Sequence, residues 1–75
     1  MSTERAAADK SLNEGIRFTK QGDLDRAIKC FTDAVNIDPN YALSYYNRGN
    51  VYSDKGDYAC AIVDYTEAIR LDQNY

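Results

Sequence analysis

Histidine is absent from this chain of 75 residues, and cysteine occurs only at Cys30 and Cys60. Nucleophilic and acid/base chemistry therefore lacks its commonest base. No CxxC redox pair or Cys/His zinc set can be assembled from two thiols so far apart in the chain. No catalytic residue, metal or cofactor is expected, and both cysteines read as structural thiols. Long apolar runs are missing too: the longest extend over a few residues, against the roughly 20 that a bilayer span requires. The opening residues, Met1 to Ala7, include Glu4 and contain no hydrophobic block of the kind a secretory signal needs, so a cytoplasmic location is expected. Positive charge is in deficit, with 9 Lys and Arg against 12 Asp and Glu. The net charge of -3 repels phosphate backbones and anionic lipid, which argues against nucleic acid and membrane partners. Proline occurs once, at Pro39.

What is present is repetition. Sliding the chain along itself by 34 residues lays Ala8–Tyr41 over Ala42–Tyr75 and makes twelve positions identical, among them Asn13/Asn47, Gly15/Gly49, Gly22/Gly56, Asp23/Asp57, Ala27/Ala61 and Ala34/Ala68. Other pairs keep their character: Phe18/Tyr52, Phe31/Tyr65, Val35/Ile69 and Ile37/Leu71. One supersecondary unit is written twice.

Within the unit, Ala27, Ile28, Phe31, Ala34 and Val35 recur at helical spacing and form one apolar face, repeated by Ala61, Ile62, Tyr65, Ala68 and Ile69. Gly22-Asp23 and Gly56-Asp57 pair a residue free to take positive φ, which ends a helix, with a carboxylate that caps the next one. Asp38-Pro39-Asn40 ends the second helix, and Asn40 is placed to cap the third. The spacing predicts four helices near 8–21, 24–37, 42–55 and 58–71, preceded by a frayed tail at residues 1–7. Gly15 and Gly49 fall inside helices, where glycine costs about 1 kcal/mol relative to alanine. Close helix contact is the expected compensation, with Ala27 and Ala61 as the small facing residues.

The period of 34 and these residues together resemble the tetratricopeptide repeat. Gly15, Phe18, Ala27, Phe31, Ala34 and Pro39 occupy its places in the first half, and Tyr45, Gly49, Tyr52, Ala61, Tyr65 and Ala68 in the second. The resemblance implies an all-α solenoid of two helix-turn-helix repeats, 8–41 and 42–75, with four antiparallel helices in right-handed superhelical stacking. Departures are Ser11 in place of an aromatic residue, and Glu14 and Arg48 in place of leucine, which predict looser packing of the first helix of each repeat. Gln73 replaces the usual proline, so nothing there stops the last helix from running on.

The resemblance also implies a function, the binding of a protein or peptide in the concave groove lined by the first helix of each repeat. Position by position this points to Leu12, Asn13, Ile16, Thr19 and Lys20, with Tyr46, Asn47, Asn50, Ser53 and Asp54. Asparagine satisfies both the N–H and the C=O of a bound backbone, while Leu12, Ile16 and Tyr46 suit apolar side chains; equally, Leu12 and Tyr46 read as core contacts, and Asn13 and Asn47 as structural hydrogen bonders. Some relatives grip the C-terminal carboxylate of heat-shock chaperones through lysine, arginine and asparagine. Asn47 matches one such place, but Leu12 and Ile16 stand where lysine and asparagine are needed, so chaperone-tail binding is not expected.

Two repeats are fewer than the roughly three a solenoid needs for stability, and no capping helix is evident. Ile62, Tyr65, Ile69 and Leu71 on the last helix therefore form a second candidate surface. Either a longer array supplies the missing neighbour or the chain forms a homo-oligomer through this helix. Asp23, Asp25, Asp54 and Asp57 cluster near the Gly-Asp turns, where capping and solubility account for them. Seven tyrosines suggest stacking platforms for single strands, but the basic groove such binding requires is missing, and helix packing accounts for them better.

Overall fold

A computed structural model describes residues 3–72, as four helices: α1 (Thr3–Lys20), α2 (Leu24–Ile37), α3 (Ala42–Asp54) and α4 (Tyr58–Leu71). No strand occurs among the described residues.

The two Gly-Asp turns form as the sequence dictates. Gly22 and Gly56 adopt φ of 78° and 83°. In each turn the glycine N–H and the following aspartate N–H reach back to two carbonyls of the last helical turn: Gly22 to Thr19 and Asp23 to Phe18, Gly56 to Ser53 and Asp57 to Tyr52, all at 2.9–3.0 Å. This double closure satisfies carbonyls that the helix end leaves without partners. The aspartates then open the next helix, Asp23 accepting from the Arg26 N–H at 3.3 Å and Asp57 from the Cys60 N–H at 3.2 Å.

Three expectations about the ends are corrected. Residues 3–7 are not a frayed tail but the first turns of α1, held from outside the helix. The Arg5 guanidinium binds Asp38 at 2.7 Å and lies 3.9 Å from the centre of the Tyr41 ring, and the Tyr41 hydroxyl donates to Asp9. Asn40 does not cap α3. Tyr41 holds that position without a side-chain cap, and Asp38 accepts the Asn40 N–H instead. Helix α4 ends at Leu71 without a proline, with Asp72 in extended backbone; Gln73 and the end of the second repeat lie outside the described residues.

Helix α1 packs on α2, α3 on α4, and α2 on α3, whereas α1 and α3 meet only slightly. The core is a cluster of Leu12, Ala27, Phe31 and Val51, drawn from α1, α2 and α3, so the two repeats share one interior. The glycines explain how the helices approach. A methyl group on Gly15 would meet three ring carbons of Phe31 at 2.5, 2.7 and 2.9 Å, and one on Gly49 would meet the Tyr65 ring at 2.9 and 3.0 Å. The nearest neighbour received by each glycine is thus an aromatic ring, and at Gly49 the Ala61 carbonyl oxygen follows at 3.3 Å.

Candidate protein-binding groove

Because α2 and α3 pack closely while α1 and α3 barely touch, a channel opens between the first helices of the two repeats. Its cavity of about 190 Å³ is walled by Ile16, Thr19 and Lys20 of α1 and by Asn47 and Asn50 of α3, with Phe31 and Val51 beneath. Those five wall residues were all expected from the sequence. The Thr19 hydroxyl donates to the Gly15 carbonyl at 2.8 Å, and the Asn50 carbonyl oxygen accepts from the Tyr65 hydroxyl. Among the described residues, neither the Asn47 amide nor the Lys20 ammonium has a protein partner. An apolar floor thus carries polar groups that remain open for hydrogen bonds.

Leu12 does not belong to this wall. It is 3% exposed and packs with Ala27, Phe31 and Val51 in the interior that the two repeats share. Asn13, Ser53 and Asp54 stand outside the cavity wall, as does Tyr46, whose exposed ring lies 6.0 Å from that of Tyr65 at an interplanar angle of 50°. Phe31 and Val51 form the floor, although the sequence pattern marks Phe31 only as part of an apolar helix face and does not single out Val51.

On the second candidate surface, Ile62 and Ile69 are 63% and 50% exposed. Tyr65 and Leu71 are half-buried, Tyr65 against Gly49. The structure adds Tyr58 and Val63, 64% and 67% exposed, which periodicity alone did not single out.

A second cavity, about 280 Å³, lies on another face of α3 and α4, between Arg48, Tyr52, Ala59, Cys60, Val63 and Asp64. Its depth holds a pair invisible in the sequence pattern: Arg48 grips the buried Asp64 through two bonds of 2.8 Å and reaches Thr32 of α2 at 3.2 Å. Arg48 therefore does not loosen α3, as its departure from leucine had suggested, but ties α3 to both α4 and α2. The first repeat lacks this pair, because Glu14 and Cys30 stand at the corresponding places. The Cys60 thiol is pushed up by its hydrogen bond to Asp57 and by the carboxylates around it, and burial raises the Cys30 thiol and the Tyr65 phenol. Among the described residues no three His, Cys, Asp or Glu side chains gather to hold a metal, and no helix is long and apolar enough to cross a membrane.

Paired helices joined by repeated Gly-Asp turns, with a channel between the first helices, define an all-α helical repeat protein. A family model described as TPR repeat matches residues 15–56, and one described as tetratricopeptide repeat matches residues 42–75. The chain belongs to the tetratricopeptide repeat family, whose repeats generally mediate protein–protein interaction and are generally not enzymes.

Proposed function

We propose that this chain holds a partner protein by seating an extended segment of it in the groove between α1 and α3. The observation that carries the reading is the pairing of an apolar floor, Phe31 and Val51, with open polar groups at Asn47 and Lys20. An extended peptide has both kinds of surface, alternating side chains and unpaired backbone N–H and C=O groups. Asn47 offers a donor and an acceptor to that backbone, and Lys20 offers a donor to a carbonyl or carboxylate. The size agrees: about 190 Å³ accommodates a side chain, whereas small-molecule pockets run to roughly 300–1,000 Å³.

The test is selection from a displayed library of short random peptides, followed by calorimetry with the selected sequences. Replacing Asn47 and Lys20 together by alanine removes two ligand hydrogen bonds at about 1 kcal/mol each, so affinity should fall about tenfold or more. Neither residue is in the core, and the thermal midpoint should stay unchanged. Selected peptides that bind the double variant as tightly as the parent would refute the groove. Leu12→Asp is no test of binding, because it places a charge in the core.

A further inference from the structure

We infer that the cavity between Arg48, Tyr52 and Cys60 accepts an arginine side chain of a partner protein, in the place that the first repeat fills with its own Arg26. The first repeat shows the arrangement complete. There the Arg26 guanidinium lies 5.8 Å from the centre of the Phe18 ring, and its Nε is 3.4 Å from Asp23 Oδ2. The other oxygen of Asp23, Oδ1, caps α2 by accepting the Arg26 N–H. One carboxylate thus opens a helix and holds a cation against an aromatic face.

The second repeat keeps the receiving half of this arrangement and lacks the arginine. Asp57 stands at the place of Asp23 with nearly the same backbone, φ -89° and ψ 76° against φ -87° and ψ 78°, and its Oδ1 accepts the Cys60 N–H. Tyr52 stands at the place of Phe18 and offers the same kind of ring face to a cation. Cys60 replaces Arg26, and the residues around it shorten in the same sense, Asp25 to Ala59 and Lys29 to Val63. These shorter side chains border the cavity of about 280 Å³. That volume lies just below the roughly 300–1,000 Å³ of small-molecule pockets and suits one long side chain. This side of the fold also stays open when a repeat follows. Asp25, Arg26 and Lys29 are exposed although α3 packs against α2, so a further repeat packed on α4 in the same way would leave Ala59, Cys60 and Val63 uncovered as well.

Charge decides which side chain enters. Two cations stand nearby and both are engaged, Arg48 with Asp64 and Thr32, and Lys55 with Asp25. Among the described residues no cation forms an ion pair with Asp57 or lies over the Tyr52 ring. Asp57 holds the neutral Cys60 thiol instead. An entering guanidinium would replace that weak bond by a charge-assisted one while stacking its plane on Tyr52, a combination that the point charge of an ammonium matches less well.

The experiment is titration of the isotopically labelled chain with N-acetyl-arginine methylamide at low ionic strength, followed by NMR chemical shifts. Saturable shifts should appear at Tyr52, Asp57, Cys60 and Val63 with millimolar probe, and not at Lys20 or Asn47 in the groove. The blocked lysine of the same form should bind at least about threefold more weakly. Cys60→Arg restores the arginine of the first repeat and should abolish the shifts. Asp57→Asn keeps a capping residue but removes the charge and should weaken binding at least about threefold, while Asp23→Asn and Asn47→Ala should leave it unchanged. Cys60 and Asp57 are exposed, so helicity is expected to persist; a Cys60→Arg chain that loses it is replaced by Val63→Lys, which restores the other long side chain of the first repeat. Absence of saturable shifts, shifts confined to the groove, equal binding of the blocked lysine, binding that survives Cys60→Arg, or indifference to Asp57→Asn would each overturn the proposal. Tighter binding of free arginine than of the blocked form would overturn it too, by pointing to a small molecule in place of a protein side chain. None of these results bears on peptide capture by the groove.

Discussion

Replacing Gly15 by alanine sets two effects of opposite sign against each other, and the structure decides between them. Helix propensity alone predicts stabilisation, since alanine is favoured over glycine in a helix interior by about 1 kcal/mol. The added methyl, however, would sit 2.5–2.9 Å from three ring carbons of Phe31, where carbon atoms prefer roughly 3.5–4.0 Å. Phe31 is fully buried in the shared core, so its ring cannot swing into water to make room. Overpacking of a core costs about 1–3 kcal/mol, and three simultaneous short contacts with an enclosed ring argue for the upper end. The expected net effect is a loss of about 2 kcal/mol. That is a large share of the roughly 4–11 kcal/mol available to a chain this long. With a urea m-value of about 1 kcal/mol/M, the midpoint followed by circular dichroism should fall by about 2 M at unchanged slope. Gly49→Ala is the internal control. Its methyl meets the half-buried Tyr65 ring at 2.9 and 3.0 Å, a ring with freedom to tilt outward, so the expected loss is smaller, about 0–1 kcal/mol. Phe31→Leu in the Gly15→Ala background should recover part of the loss through favourable coupling. A Gly15→Ala midpoint equal to or above the parent's would show that the ring contact does not govern this position.

Three further outcomes are expected. Arg48→Ala leaves the Asp64 carboxylate buried without its partner and should cost about 3 kcal/mol by urea unfolding, whereas replacing Arg48 and Asp64 together by leucine should cost far less; equal losses would deny the pair its role. Asp23→Ala removes the side-chain cap of α2 and should cost about 1 kcal/mol, while Asp23→Asn should lie within a few tenths of the parent. The Cys60 thiol, held above its usual range first by the hydrogen bond to Asp57, carries less thiolate at pH 8 than a free cysteine. Iodoacetamide should therefore modify it more slowly than a model thiol, and Asp57→Asn, which keeps a capping residue but removes the charge, should speed the reaction; an unchanged rate would refute that origin.

The groove and the repeats were legible to different depths. The turns were readable because each depends on a few neighbouring residues: a glycine at positive φ, an aspartate one step later, and backbone bonds that close within six residues. The start of α1 was not, because what holds Thr3 to Ala7 in register is Asp38 and Tyr41, far along the chain. The pair of Arg48 with Asp64 was hidden for the same reason. Two charges on different helices carry no period, and only the packing of α3 on α4 brings them to 2.8 Å. Of the residues expected in the groove, Ile16, Thr19 and Lys20 of α1 and Asn47 and Asn50 of α3 line one cavity, whereas Asn13, Tyr46, Ser53 and Asp54 do not line it.

Leu12 and Tyr46 show where the boundary lies. They occupy the same place in the two repeats, 34 residues apart, and local sequence assigns them the same helix and the same register. Helix identity, turn chemistry, the period of 34 and membership of the repeat family were all determined by the sequence itself, because each rests on interactions among near neighbours or on the spacing of apolar residues. Exposure was decided only in the tertiary structure. Leu12 is core, in one cluster with Ala27 and Phe31 of α2 and Val51 of α3, whereas Tyr46 is exposed beside Tyr65 of α4. Two identical positions in a repeat become interior and surface according to the neighbour each acquires, since burial belongs to the packing of helices against one another and is not a property of the residue.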